Sequence, residues 1–214
     1  LFLVFGPAQA ADFHFEILDP TVEIPSVSDH ETTGAEMAGM AVTAFFSAAA
    51  SETVIWAATG ADSGAVFGPQ QDWSLTQQGD TFSNPWTLTY SGGTGKGLLT
   101  GFRLDGFAAG PGEVGVMFDR TFNGMFGTPD SYKGYDYTTQ TVGLPFDTYV
   151  TYESQVAVMG NDPVGDEFRY LETRFVLPGD GDEFTSVPPA VGGLDADTVR
   201  TLSFIQDTNN PVVP

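Results

Sequence analysis

Residues 98–119, which read LLTGFRLDGFAAGPGEVGVMFD, decide how the rest of the chain is interpreted. In residues 98–105 and again in 114–118, apolar side chains alternate with polar or small ones, and a loop rich in Gly and Pro separates the two runs. A period of two on both sides of such a loop is typical of paired strands, each with one apolar face. The stretch therefore predicts a hairpin in the core of a β protein.

The same alternation recurs along the chain. It predicts strands at 13–15, 40–46, 73–75, 86–90, 149–158, 168–177 and 198–205, with a short strand near 135–139. Residues 19–36 and 60–68 are rich in turn-forming or small residues and are predicted to be loops. About nine to eleven short strands with long loops indicate an all-β fold, a single antiparallel jelly-roll-like β-sandwich.

Composition supports one domain. The 214 residues include 18 Phe, 7 Tyr and 3 Trp, enough for a sizeable core, and 26 Gly and 14 Pro, enough for many turns. The chain has no cysteine, which excludes disulfides and thiolate metal sites.

The charge balance is strongly acidic. There are 28 Asp and Glu against 7 Lys and Arg, a formal net charge of −21. Such a protein repels nucleic acid and anionic membranes, because binding to either relies on Lys and Arg. Carboxylates in loops suit hard cations such as Ca²⁺, so Ca²⁺ is the one cofactor to consider.

The first ten residues are similar to the end of a secretory signal peptide. An apolar run at 1–5 is followed by Gly6-Pro7 and by Ala8-Gln9-Ala10, which fits an A-x-A cleavage site. We therefore expect residues 1–10 to be a signal remnant, 11–210 the sandwich domain and 211–214 the start of a tail. This organisation predicts export.

Several short motifs occur in a characteristic order. They are GDTF at 79–82 leading into WTL at 86–88, GVMFD at 115–119, GTPDS at 127–131, DEF at 166–168 and the closing DTNN at 207–210. Together they resemble the bacterial PEP-CTERM sorting-signal proteins, the substrates of exosortases, over residues 37–210.

The resemblance implies an exported surface or extracellular-matrix protein of a Gram-negative bacterium, associated with exopolysaccharide and without a known enzymatic activity. In that family a Val-Pro-Glu-Pro signal, a transmembrane helix and a basic end follow the domain. Here the sequence ends at Val213-Pro214, so membrane attachment is implied only through an anchor absent from this chain. The family's closing motif usually reads Asp-Thr-Asp-Asn, and Asn209 replaces its second Asp.

Alternating acidic residues suggest where Ca²⁺ could bind, since two side-chain oxygens and the carbonyl between them can face one ion. The candidate ligands are Asp180, Asp182, Glu183, Asp195, Asp197, Asp207 and Asn209, with Asp119 as a weaker candidate. The alternative is that these are Asp-rich turns whose carboxylates accept from backbone N–H groups. A complete EF-hand loop is absent from the sequence.

Aromatic residues suggest a polysaccharide-binding surface. The three Trp are expected in the core. Tyr132, Tyr135 and Tyr137 fall in a predicted loop, where we expect exposed rings that could contact a glycan.

Catalysis is not indicated. His14 and His30 have no Ser or Cys partner in a recognisable nucleophile motif, which disfavours a Ser-His-Asp hydrolase and a catalytic zinc site. A glycosidase needs only two carboxylates, but the sequence singles out no pair. The first prediction is thus a structural or adhesive exported protein, followed by a carbohydrate-binding module and then by a glycoside-active enzyme.

Overall fold

The fold is described from a computed structural model, which covers residues 13–15, 22–24, 27–29, 32–108, 115–120, 134–137, 146–158, 167–177, 192–195 and 201–211. These residues contain sixteen strands and no helix. The strands are β1 (Phe13–Phe15), β2 (Val22–Ile24), β3 (Val27–Asp29), β4 (Ala41–Phe46), β5 (Glu52–Ile55), β6 (Ala57–Ala58), β7 (Ser63–Phe67), β8 (Trp73–Gln78), β9 (Trp86–Tyr90), β10 (Leu99–Asp105), β11 (Met117–Asp119), β12 (Asp136–Tyr137), β13 (Asp147–Val158), β14 (Glu167–Val176), β15 (Thr201–Ile205) and β16 (Thr208–Pro211).

Two sheets confirm the predicted all-β, sandwich-like fold. Sheet one has ten strands and is built on the long antiparallel pair β13–β14. Sheet two has six strands in the order β12-β15-β9-β8-β7-β6. Pairing is antiparallel throughout, except that the short strands β1 and β2 lie parallel to β13. The strand number exceeds the prediction because many strands are only two to four residues long.

The predicted hairpin at 98–119 is wrong. Both β10 and β11 exist, but both run antiparallel to β14, so they point in the same direction. They lie end to end along one edge of β14, and the Gly106 N–H continues the ladder by donating to the Arg169 carbonyl. The Val116 N–H then donates to the Gly106 carbonyl, which closes the intervening loop. The alternation predicts both strands correctly, but each of them pairs with β14 and not with the other.

The strands that sequence patterning missed have identifiable reasons. Residues 63–67 were predicted to be loop because they are small, yet they form β7. Gly64 is needed there, since an added Cβ would lie 2.1 Å from both the Gly34 carbonyl oxygen and Trp56 Nε1. β16 has the polar sequence Thr-Asn-Asn-Pro, whose Thr and Asn side chains are nevertheless buried. Short size and buried polarity both hide the period-two signal.

Aromatic side chains join the two sheets. The ring of Phe204 in β15 stacks on Trp86 of the neighbouring strand and on Phe102 of sheet one, with centroid separations of 5.9 and 5.4 Å. Trp56 lies 5.4 Å from Trp86 at the corner where the chain passes from β5 in sheet one to β6 in sheet two. All three Trp are buried, as the sequence predicts.

Candidate functional site

The predicted tyrosine surface changes most in the structure. Tyr135 is only 3% exposed, its ring stacks on Phe204 at 4.8 Å, and its N–H donates to the Tyr152 hydroxyl. The expectation that Tyr135 is exposed is therefore wrong, because the chain around it adds β12 to the edge of sheet two and turns this ring into the core. Tyr137 lies in β12, and Tyr132 lies outside the described residues.

The predicted calcium ligands divide into two groups. Asp180, Asp182, Glu183 and Asp197 lie outside the described residues, and Asp195 is half-buried. Asp207 and Asn209 are fully buried beside β11. Asp207 Oδ1 accepts from the Thr81 hydroxyl at 3.0 Å and from the Thr208 N–H at 2.9 Å. These bonds attach the loop between β8 and β9 to β16.

Two further carboxylates lie close to this position. Asp119 and Glu167 are cross-strand partners of β11 and β14, each about 1% exposed. Asn209 Nδ2 donates to Glu167 Oε1 at 2.5 Å. The topology thus brings Asp119, Glu167 and Asn209 together, although they are far apart in the sequence. Within the described part of the chain, however, no group of three or more His, Cys, Asp or Glu side chains could hold a metal ion.

Gln206 is the centre of the same polar region. Its Nε2 donates to the carbonyls of Asp119 and Asp207, both at 2.7 Å, and its Oε1 accepts from the Tyr152 hydroxyl at 2.7 Å. Trp86 Nε1 donates to the Gln206 carbonyl at 2.8 Å. Burial raises the pKa of Tyr152 well above its ordinary value, so this phenol stays protonated and remains a donor. The region therefore holds the two sheets together by fully buried hydrogen bonds.

A second buried polar cluster lies between the sheets at the loop before β10. Lys96 Nζ lies 2.7 Å from Glu52 Oε1 of β5 and 2.6 Å from Asp72 Oδ2, just before β8. Trp73 Nε1 donates to the other Glu52 oxygen at 2.7 Å. Burial lowers the pKa of Lys96, but its hydrogen bonds to Asp72 and Glu52 outweigh burial and leave that pKa above the ordinary value. Lys96 thus connects the two sheets through ion pairs with Glu52 and Asp72.

The outer face of sheet one is charged. Arg103 donates to Glu153 at 2.9 Å and to Glu172 at 3.1 Å, and Arg169 donates twice to Asp105. Aromatic rings complete these ion pairs, since the guanidinium groups of Arg103 and Arg169 lie 4.3 and 4.6 Å from the ring centroid of Tyr170. Arg103 and Arg169 are thus each paired with at least one carboxylate and with the ring of Tyr170.

The outer face of sheet two is covered by hydroxyl groups. In β8, β9 and β15, Leu75, Leu88 and Leu202 point into the core, so the residues on either side of each Leu face outward. The strand register aligns these outward residues in two rows. One row is Ser74–Thr89–Thr201 and the other is Thr76–Thr87–Ser203. We call these six residues the hydroxyl face; Thr201 is exposed, and the other five are half-buried.

The strands that carry the hydroxyl face are uncharged, and Asp136 of β12, which pairs with β15, is the charged residue at their edge within the described strands of sheet two. β6, β7, β8, β9 and β15 contain no Asp, Glu, Lys or Arg. Phe67 is the cross-strand partner of Ser74 and is 54% exposed, so an accessible aromatic ring lies at the end of one row. Sequence reasoning missed this surface, although the alternation Ser-Leu-Thr, Thr-Leu-Thr and Thr-Leu-Ser was its signal.

The structure shows no helix in its described ranges with the length and apolarity needed to cross a membrane. Comparison with known proteins finds no family model, no curated protein and no solved structure that matches the chain.

Proposed function

We propose that the protein is an exported, non-enzymatic component of the bacterial surface or extracellular matrix, with a structural or adhesive role beside exopolysaccharide. The observation that supports an adhesive role is that β6, β7, β8, β9 and β15 of sheet two contain no charged residue, on a chain of net charge −21. An acidic protein repels other acidic molecules, so an uncharged face is where it can approach another matrix component at least cost.

The buried polar clusters fit a protein built for persistence outside the cell. Lys96 and Gln206 each connect the two sheets, and neither connection depends on cysteine. The sequence motifs that resemble the PEP-CTERM proteins add the expectation of export and of a matrix rich in polysaccharide.

Fractionation of the producing bacterium tests this proposal. We expect the protein in the surface or matrix fraction, with a mature N-terminus near Ala11. Replacing Ala8 and Ala10 together with Arg should block cleavage, because signal peptidase requires small residues at these positions. Recovery of the wild-type protein only from the cytoplasm would contradict the proposal, and equal processing of both forms would contradict the proposed cleavage site.

A further inference from the structure

We propose that the hydroxyl face binds a flat, uncharged polysaccharide surface, of the kind that extended β-linked glycan chains form when they lie side by side. This inference rests on the proposed function and names the ligand class of the adhesive face. It replaces the predicted tyrosine surface, whose central residue Tyr135 is buried.

The arrangement of the hydroxyl groups is regular because the sheet is regular. Neighbouring strands are about 4.8 Å apart, and alternate residues of one strand are about 6.8 Å apart. The rows Ser74–Thr89–Thr201 and Thr76–Thr87–Ser203 therefore place six hydroxyl groups on a patch of about 10 by 7 Å. A hydroxyl group can donate one hydrogen bond and accept others, which matches the hydroxyl groups of a sugar polymer. The Thr76 hydroxyl already donates to the Thr87 carbonyl at 3.5 Å and offers the ligand its acceptor sites.

Charge selects the class of polymer. Because β8, β9 and β15, which carry the hydroxyl face, contain no charged residue, they offer no ion pair to an acidic or a basic polymer; the bordering strand β12 contains Asp136, which adds to the repulsion of polyanions. The remainder of the protein, with its net charge of −21, repels polyanions. A neutral polysaccharide meets neither obstacle, and desolvating it costs less than desolvating a charged chain.

Shape selects an extended surface over a single sugar. The six residues lie on the outer side of a sheet, and their side chains are short. Phe67, beside Ser74, adds an exposed ring that can stack on the apolar face of a pyranose. Individually weak hydrogen bonds become effective when many of them form at once on a repeating ligand.

Pull-down on microcrystalline cellulose and on chitin beads tests the proposal. The test variant is Thr76→Val, Thr87→Val and Thr89→Val together, since Val keeps the shape and strand preference of Thr but lacks the hydroxyl. The matched control is Thr43→Val with Thr53→Val. These threonines pair on the charged outer face of sheet one, where their hydroxyl oxygens are 2.8 Å apart.

We expect wild-type protein and the control to be retained on at least one of the two glycans. The triple variant should bind at least about tenfold more weakly, which corresponds to about 1.4 kcal/mol of binding free energy. Thermal melting of all three proteins verifies that they are folded. If the triple variant melts early, the same experiment with Thr87→Val alone should show a smaller loss in the same direction.

Two results would overturn the inference: no retention of wild-type protein on either glycan, or equal retention of wild type and triple variant. Neither of these results affects the fractionation experiment. Conversely, a cytoplasmic location would remove the proposed function and leave the binding result intact. The two proposals therefore fail separately.

Discussion

The outer faces of the two sheets differ in charge: the face of sheet one contains ion pairs, and most strands of sheet two contain no charged residue. On sheet one, Arg103 and Arg169 are held by carboxylates and an aromatic ring. On sheet two, β8, β9 and β15, which carry the hydroxyl face, contain no charged residue, and neither do β6 and β7. Both faces cover the same aromatic core, so core packing alone does not explain the difference.

The comparison shows that charged side chains have different roles at the outer face of sheet one, between the sheets and on sheet two. The arginines on the outer face of sheet one pair with nearby carboxylates. Each of these exposed ion pairs contributes little to the free energy of unfolding. The buried cation Lys96 lies between the sheets, where loss of a partner is costly. The absence of charge from the described strands of sheet two outside β12 is the feature on which the proposed binding role rests.

The largest expected effect is at Lys96. Lys96→Met removes the only described cation near Glu52 and Asp72 and leaves two carboxylates largely buried. We expect the free energy of unfolding to fall by about 3 kcal/mol, as for other broken buried ion pairs. Urea denaturation measures this. Arg174→Met is the control, because Arg174 is 45% exposed in its pair with Glu172 and should cost less than about 1 kcal/mol. Equal losses would show that the two sites do not differ as described.

The next effect is the pH dependence of the same ion pairs. Hydrogen bonds to Asp72 and Glu52 raise the pKa of Lys96 above 10.5 in the folded state. A raised pKa means that the contribution of Lys96 is complete below pH 10.5 and is lost as pH rises through the folded pKa. We expect the difference in unfolding free energy between wild type and Lys96→Met to be constant at neutral pH and to shrink above pH 10.5. A difference that already falls as pH rises from about 7 to 9 would contradict the described contacts.

Much of the fold could be predicted because apolar alternation reports directly on a half-buried strand. Residues 86–90 and 168–177 show it clearly and form β9 and β14. Pairing could not be predicted, since alternation carries no information about partners. β11 continues β10 along β14 through its own pairing with β14 and through the backbone hydrogen bond from the Gly106 N–H to the Arg169 carbonyl.

The candidate site was harder to predict for a related reason. The alternation in 74–76, 87–89 and 201–203 indicates outward hydroxyl groups one strand at a time. Only the register of β15 against β9 and of β9 against β8 aligns them in rows. Tyr135 shows the opposite error, because a sequence rich in Tyr and Gly suggested an exposed loop where a short strand brings one ring into the core.

A smaller effect is expected at Arg103, on the charged face. Arg103→Met removes the hydrogen bonds to Glu153 and Glu172 from a side chain that is 30% exposed. We expect a loss of about 1 kcal/mol in low salt, since partly exposed ion pairs contribute little. In about 1 M NaCl, screening should reduce the loss further. Urea denaturation at both salt concentrations measures it, and a loss that is independent of salt would show that packing on Tyr170 dominates.

The smallest effect on stability should come from the face that we assign to binding. Thr76→Val with Thr87→Val removes two hydroxyl groups, of which that of Thr76 makes one long 3.5 Å hydrogen bond to the Thr87 carbonyl. Val has a similar shape and β preference, so we expect the unfolding free energy to change by less than about 0.5 kcal/mol, and equally at low and high salt. Urea titration of this variant beside Thr43→Val with Thr53→Val compares the two faces directly. A loss above about 2 kcal/mol would mean that the hydroxyl rows exist to stabilise sheet two. A near-zero change combined with weaker retention on cellulose or chitin would separate recognition from stability on a single sheet.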